Sequence, residues 1–90
     1  MFEVYLSNES LKILKKLDKR TTEKIKVLLL CLKTSPLPIR EYDIKKVSGA
    51  KNIYRMRISR FRIIYKIDWD KKQINVIKIG KRDEKTYKGL

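Results

Sequence analysis

The chain has 90 residues, of which 24 are Lys or Arg and 10 are Asp or Glu, so its formal net charge is +14. A chain of this length has room for one domain with one modest core. It contains no His and a single cysteine, Cys31, which excludes imidazole acid–base chemistry, His-ligated metals and an internal disulfide. The charge favours a polyanionic partner: nucleic acid first, then an anionic membrane surface or an acidic protein.

The apolar segments are short. The longest unbroken apolar run, at 27–32, is far below the roughly 20 residues that span a bilayer. No basic segment followed by an apolar stretch opens the chain, so no secretory signal is visible. We therefore expect one domain over residues 1–90, located in the reducing cytoplasm, with no metal or other cofactor and no membrane partner.

Apolar and mixed residues alternate over 2–6, which is the pattern typical of a half-buried strand. Ser and Asn residues at 7–10 then offer helix N-caps. Apolar residues recur at helical spacing over 11–17, with lysines mostly on the other face. These patterns predict a strand followed by a short amphipathic helix.

A second helix follows a predicted turn and new N-cap at 18–22. Its apolar residues recur at i, i+3, i+4 and i+7, and Pro36 ends it because proline supplies no backbone amide. This helix also carries Val27, Leu30 and Cys31. We therefore expect it to be apolar on more than one face and well buried.

The second half of the chain is rich in β-branched and aromatic residues. Residues 39–52 have no clear period, whereas 53–58, 61–68 and 74–79 each predict a strand. The element order β-α-α-β-β-β predicts an α+β domain in which two N-terminal helices pack on one face of a mainly antiparallel, four-stranded sheet.

The charge is concentrated in this half: residues 45–90 hold 15 basic and 4 acidic residues, a net charge of +11. Side chains alternate across a strand, and a symmetric reversal at Ser59-Arg60 places Arg57 opposite Arg62. Arg55 and Lys66 fall on the same face as this pair, away from the face that meets the helices. Such a face is either an ordinary solvated surface or an anion site, since guanidinium groups bind phosphate oxygens in a bidentate manner.

The residues of this hairpin carry a family resemblance. The run YRMRISRFRIIY at 54–65, followed by Gly80-Lys81-Arg82 and then Tyr87, resembles the core signature of the RelE/ParE toxin superfamily. The resemblance extends over nearly the whole chain. Because both the Gly-x-Arg and the later Tyr are present, it is closer to the RelE branch than to the ParE branch.

The resemblance implies the microbial RNase-like RelE fold and a toxin of a type II toxin–antitoxin system. It implies a ribosome-dependent endoribonuclease that cleaves mRNA in the A site by metal-independent attack of the 2′-OH. The implied partners are a cognate acidic antitoxin of the RelB type, the ribosome and mRNA. Two alternatives remain: a ParE-like inhibitor of DNA gyrase, and a basic RNA-binding module without catalytic activity.

The resemblance also assigns a catalytic set. Arg62 matches the strand arginine that contacts the scissile phosphate, Arg82 the arginine that stabilises the leaving group, and Tyr87 the tyrosine that packs on a base or orients the nucleophile. Arg55 and Arg57 stand where well-known members have lysines. Arg57 is the fourth residue of the catalytic set. Arginine effectively keeps its proton in proteins, so Arg57 would contribute charge and the general base is unassigned.

Further phosphate-binding candidates surround this set, namely Arg55, Arg57, Arg60, Lys66 and Lys81. Arg60 lies in the hairpin connection, where many relatives have Gly or a small polar residue. Since tight type I′ and II′ turns favour Gly, we expect a wider connection here.

Overall fold

A computed structural model describes residues 1–81. The elements in chain order are β1 (Glu3–Leu6), α1 (Asn8–Lys16), α2 (Lys19–Thr34), β2 (Asp43–Lys46), β3 (Ile53–Ile58), β4 (Phe61–Asp68) and β5 (Gln73–Lys81). The predicted α+β class, with two helices before the main run of strands, is confirmed.

Both helices begin at side-chain caps. Ser7 Oγ accepts a hydrogen bond from the Ser10 backbone N–H at 3.0 Å and caps α1. Asp18 accepts from the Thr21 N–H at 3.3 Å and caps α2. Hydrogen bonding by Thr21, first through its side chain and then through its backbone N–H, lowers the pKa of Asp18. The predicted turn at 18–22 is therefore shorter than expected, because α2 already begins at Lys19.

The strands form one sheet in the order β1-β5-β4-β3-β2, in which β1 is parallel to β5 and the other pairs are antiparallel. The sheet has five strands, so the prediction of four was wrong. The additional strand, β2, pairs with β3 at the edge of the sheet. The sequence does not predict this strand, because Ile44 is its only apolar residue and one apolar residue shows no alternation. The other three residues are exposed, as is common for a strand at the edge of a sheet.

The helices pack against one face of the sheet. Ile25, Leu28 and Leu32 of α2 are fully buried together with Met56 and Tyr65 of the sheet. Neither helix among residues 1–81 is long and apolar enough to cross a membrane.

The expectation that α2 is buried on more than one face was wrong. Val27 and Leu30 are 59% and 62% exposed, and Cys31 is half-buried. The physical reason is that a helix lying on a sheet presents one stripe to it, and apolar residues beyond that stripe face solvent.

Candidate functional site

The β3–β4 hairpin has the register that the sequence predicts. Ile58 pairs with Phe61, and Arg57 pairs with Arg62. Two residues, Ser59 and Arg60, make the connection, so the expectation of a wider one was wrong. The left-handed backbone conformation falls on Ser59, with φ 52°, and Arg60 has no such requirement, so a glycine is not needed at position 60.

A row of residues crosses the sheet on the face away from the helices. Asp43 of β2 is opposite Arg57, Arg57 is opposite Arg62, and Arg62 is opposite Gly80 of β5. We call these four residues the arginine row. Gly80 has no side chain, so the row contains two guanidinium groups and one carboxylate, that of Asp43. Asp43 was not predicted as a site residue, because it lies in the segment 39–52, which has no clear period.

Arg57 is partly enclosed. Its side chain is 32% exposed, and its Nη1 lies 3.7 Å from Asp43 Oδ2. Its Nε is buried and has no hydrogen-bond acceptor among residues 1–81. A buried donor left without an acceptor costs about 1–3 kcal/mol, and such costs are often found at functional sites.

The other predicted residues of this face lie further along the strands. Arg55 is half-buried and pairs with Ile64, which is fully buried. Lys66 is exposed and pairs with Ile53. Lys66 follows Arg62 by four residues on β4, which is roughly 13 Å of strand. The structure therefore brings Arg57 and Arg62 together and leaves Lys66 apart.

A groove of about 1030 Å³ lies at the end of the sheet, between the first turns of α2 and the Ser59–Arg60 connection. We call it the end groove. Its basic lining residues are Arg20, Lys24, Arg60, Arg62 and Lys81. Lys81 is opposite Phe61 in the register, so it belongs to the helix-facing side of the sheet.

Two of these basic residues come from α2 and were not found by sequence analysis. Arg20 and Lys24 lie on a different element from the hairpin, and nothing in the local pattern connects them to it. Lys24 Nζ donates a hydrogen bond to Ser59 Oγ at 3.4 Å, which joins the helix to the hairpin connection. Arg82 and Tyr87, both predicted to be catalytic, lie outside the described residues.

A family model matches residues 4–86 and describes the ParE toxin of the type II toxin–antitoxin system parDE. Among individual relatives, the chain is 40% identical over 87 residues to the candidate toxin RelE1 of Methanocaldococcus jannaschii. That alignment covers 97% of this chain and 96% of the relative.

Solved structures share the fold. The RelE–RelB complex of Pyrococcus horikoshii contains a chain that matches with a TM-score of 0.85 and 26% identity, covering 92% of this chain and 97% of that one. The intact RelBE toxin–antitoxin complex of E. coli contains one that matches with a TM-score of 0.77 and 22% identity, covering 93% and 100%. At that lower identity the second likeness concerns the fold alone.

Proposed function

The chain belongs to the RelE/ParE superfamily of type II toxin–antitoxin toxins, and from this premise we propose that it is a ribosome-dependent endoribonuclease that cleaves mRNA in the A site. The observation that carries the proposal is the direct opposition of Arg57 and Arg62 on the face away from the helices. Like charges placed opposite each other destabilise a sheet. A phosphate between the two guanidinium groups would turn this repulsion into binding energy.

In the proposed reaction, the 2′-oxygen of the substrate attacks the adjacent phosphorus. The O2′–P bond forms, the P–O5′ bond breaks, and the products are a 2′,3′-cyclic phosphate and a 5′-OH. The 2′-OH proton leaves to an acceptor, and the departing 5′-oxygen takes a proton. The protein contributes by holding the nucleophile in line and by neutralising the charge that develops on the phosphorane.

The proposed roles are those that the family resemblance implies. Arg62 binds the scissile phosphate, and Arg57 contributes the second positive charge beside it. Arg82 stabilises the leaving oxygen, and Tyr87 packs on a substrate base or orients the 2′-OH. Arg55, Arg60, Lys66 and Lys81 bind flanking phosphates. Arginine retains its proton, so none of these arginines serves as the proton acceptor.

The proposed partners are the ribosome with its mRNA, in the cytoplasm, and a cognate antitoxin. The P. horikoshii and E. coli relatives are each found in complex with RelB. The net charge of +14 favours a short acidic antitoxin here. We propose that its binding covers or displaces part of the arginine row and thereby blocks access of RNA.

A second candidate function is arrest of DNA gyrase without RNA cleavage. The match to a family model that describes the ParE toxin favours it. This activity would not need a phosphate held between two arginines. Growth arrest that persists when both Arg62 and Arg82 are replaced would support it.

The proposal is tested by primer extension on a translated mRNA with purified protein. We expect cuts in the A-site codon with the wild type, strongly reduced cutting by Arg62→Ala and by Arg82→Ala, and unchanged cutting by Lys71→Ala. Lys71 provides a matched control because it is an exposed basic residue outside the arginine row. Absence of cuts with the wild type, or full cutting by the Arg62→Ala, Arg82→Ala double variant, would contradict the proposal.

A further inference from the structure

The end groove adds a second basic surface to the arginine row. Among the described residues, nine line the groove; five of these are basic, and Asp18 is the one acidic residue. The Asp18 carboxylate already accepts the hydrogen bond that caps α2. The groove therefore presents a strong excess of positive charge to a ligand.

The end groove also contains an aromatic ring. Phe61 is half-buried: it packs against the core and also lines the groove. A basic groove that includes an aromatic side chain is the usual arrangement for binding single-stranded nucleic acid, because bases stack on the ring while cations follow the backbone.

The end groove and the arginine row share a residue. Arg62 lines the groove and also pairs with Arg57 across the hairpin. A ligand that spans both surfaces must therefore carry several negative charges spaced along a chain, as the phosphates of a nucleic acid strand are. Arg20, Lys24 and Arg60 lie on the groove side of Arg62, where a neighbouring phosphate of the same strand would lie.

We propose that the end groove binds an unpaired RNA nucleotide adjacent to the one that is cut, with its base stacked on Phe61 and its phosphate held by Arg20, Lys24 and Arg60. The identity of the ligand as RNA rests on the proposed function. An acidic protein segment would use the same cations, but it would not need the ring. The contribution of Phe61 therefore distinguishes the two ligands.

The test uses the full chain without ribosomes and a short, fluorescently labelled single-stranded RNA with 2′-O-methyl groups, which cannot be cleaved by 2′-OH attack. Fluorescence anisotropy gives the dissociation constant. We expect Phe61→Leu to weaken binding about 5- to 150-fold, the loss that corresponds to one base–aromatic stack. Phe61→Trp should bind at least as tightly as the wild type, because indole is also a stacking surface.

The role of the groove cations is tested through the salt dependence of binding. The logarithm of the association constant falls linearly with the logarithm of the salt concentration. We expect this negative slope to become shallower in the Arg20→Gln, Lys24→Gln double variant, by roughly 0.7 for each phosphate that these residues neutralise in the wild type. The matched control is the Lys51→Gln, Lys71→Gln double variant, which removes the same charge from exposed positions outside the groove. It should leave the slope close to the wild-type value.

Thermal unfolding of Phe61→Leu separates a loss of binding from a loss of folded protein, and Phe61→Trp tests the ring without removing it. Equal binding by wild type and Phe61→Leu, weak binding by Phe61→Trp, or equal slopes for the two double variants would overturn the proposal. If the wild type cuts no mRNA but the groove variants bind RNA as expected, the proposed cleavage fails, and the assignment of the end groove as a site for an unpaired RNA nucleotide stands.

Discussion

The carboxylate of Asp43 and the guanidinium of Arg57 form an ion pair across the β2–β3 edge, with Oδ2 and Nη1 separated by 3.7 Å. Asp43 is half-exposed, at 50%, so water screens much of this attraction. The pair places a negative charge at the end of the arginine row, beside the position where we propose that a phosphate binds. Asp43 therefore offsets part of the repulsion between Arg57 and Arg62 when RNA is absent.

Replacing this carboxylate should strengthen RNA binding with little effect on stability. We expect Asp43→Asn to tighten binding of a short RNA about twofold to fivefold at low salt, because a like charge near the phosphate is removed. The free energy of unfolding should change by less than about 1 kcal/mol. Anisotropy titrations and urea unfolding measure the two effects.

Asp70→Asn is the matched control, since Asp70 is exposed on the β4–β5 connection, away from the arginine row. It removes the same charge from the chain. An equal gain in RNA affinity from Asp70→Asn would mean that net charge, and not the position of Asp43, sets the effect.

Two adjacent residues of α2 should respond very differently to truncation. Leu28 is fully buried, so Leu28→Ala should lower the free energy of unfolding by about 2–5 kcal/mol. Val27 is 59% exposed, so Val27→Ala should change it by no more than about 0.5 kcal/mol. Urea unfolding of both variants measures the difference, and similar losses would contradict the orientation of α2.

Tyr65 should contribute to stability in a pH-dependent way. Its hydroxyl donates a hydrogen bond to the Pro36 carbonyl at 2.9 Å, and burial raises its pKa well above the ordinary value of 10.0. As the pH rises, the Tyr65 hydroxyl loses its proton in the unfolded chain before it does so in the folded chain. The contribution of this hydroxyl to the free energy of unfolding is therefore complete below pH 10 and declines as the pH rises above it.

We therefore expect Tyr65→Phe to be less stable than the wild type by about 0.5–1.5 kcal/mol at neutral pH. The difference should narrow above pH 10, because phenylalanine has no proton to lose. Urea unfolding at neutral and alkaline pH measures both free energies. A difference that stays constant across this range would show that the Tyr65 hydroxyl does not titrate differently in the folded chain.

Much of the sheet was accessible to sequence reasoning because its central strands are strongly patterned. The bounds of β3 and β4 were predicted to the residue, and the opposition of Arg57 and Arg62 followed from a symmetric reversal at Ser59-Arg60. The edge strand β2 was missed because Ile44 alone marks its buried side. The exposure of Val27 and Leu30 was missed because the spacing of apolar residues shows which of them share a face of the helix. It does not show which faces pack against other elements.

The site was predictable only where it lies within one hairpin. Asp43 joins Arg57 through strand pairing. Lys24 joins Ser59 through packing of α2, although the two residues are 35 positions apart in the chain. Contacts between separate elements depend on the folded arrangement of the whole domain. Alternation along a strand cannot indicate them.

In the proposed function, Arg62 stabilises the phosphate at which mRNA is cut. The most direct measurement is the single-turnover cleavage rate on ribosomes that carry a defined codon in the A site, for the wild type, Arg62→Ala and the control Lys71→Ala. We predict that Arg62→Ala lowers the rate about 100- to 1,000-fold, as expected for loss of one donor to a developing oxyanion, and that Lys71→Ala leaves it unchanged. Cleavage by Arg62→Ala at the wild-type rate would show that Arg62 does not stabilise this phosphate.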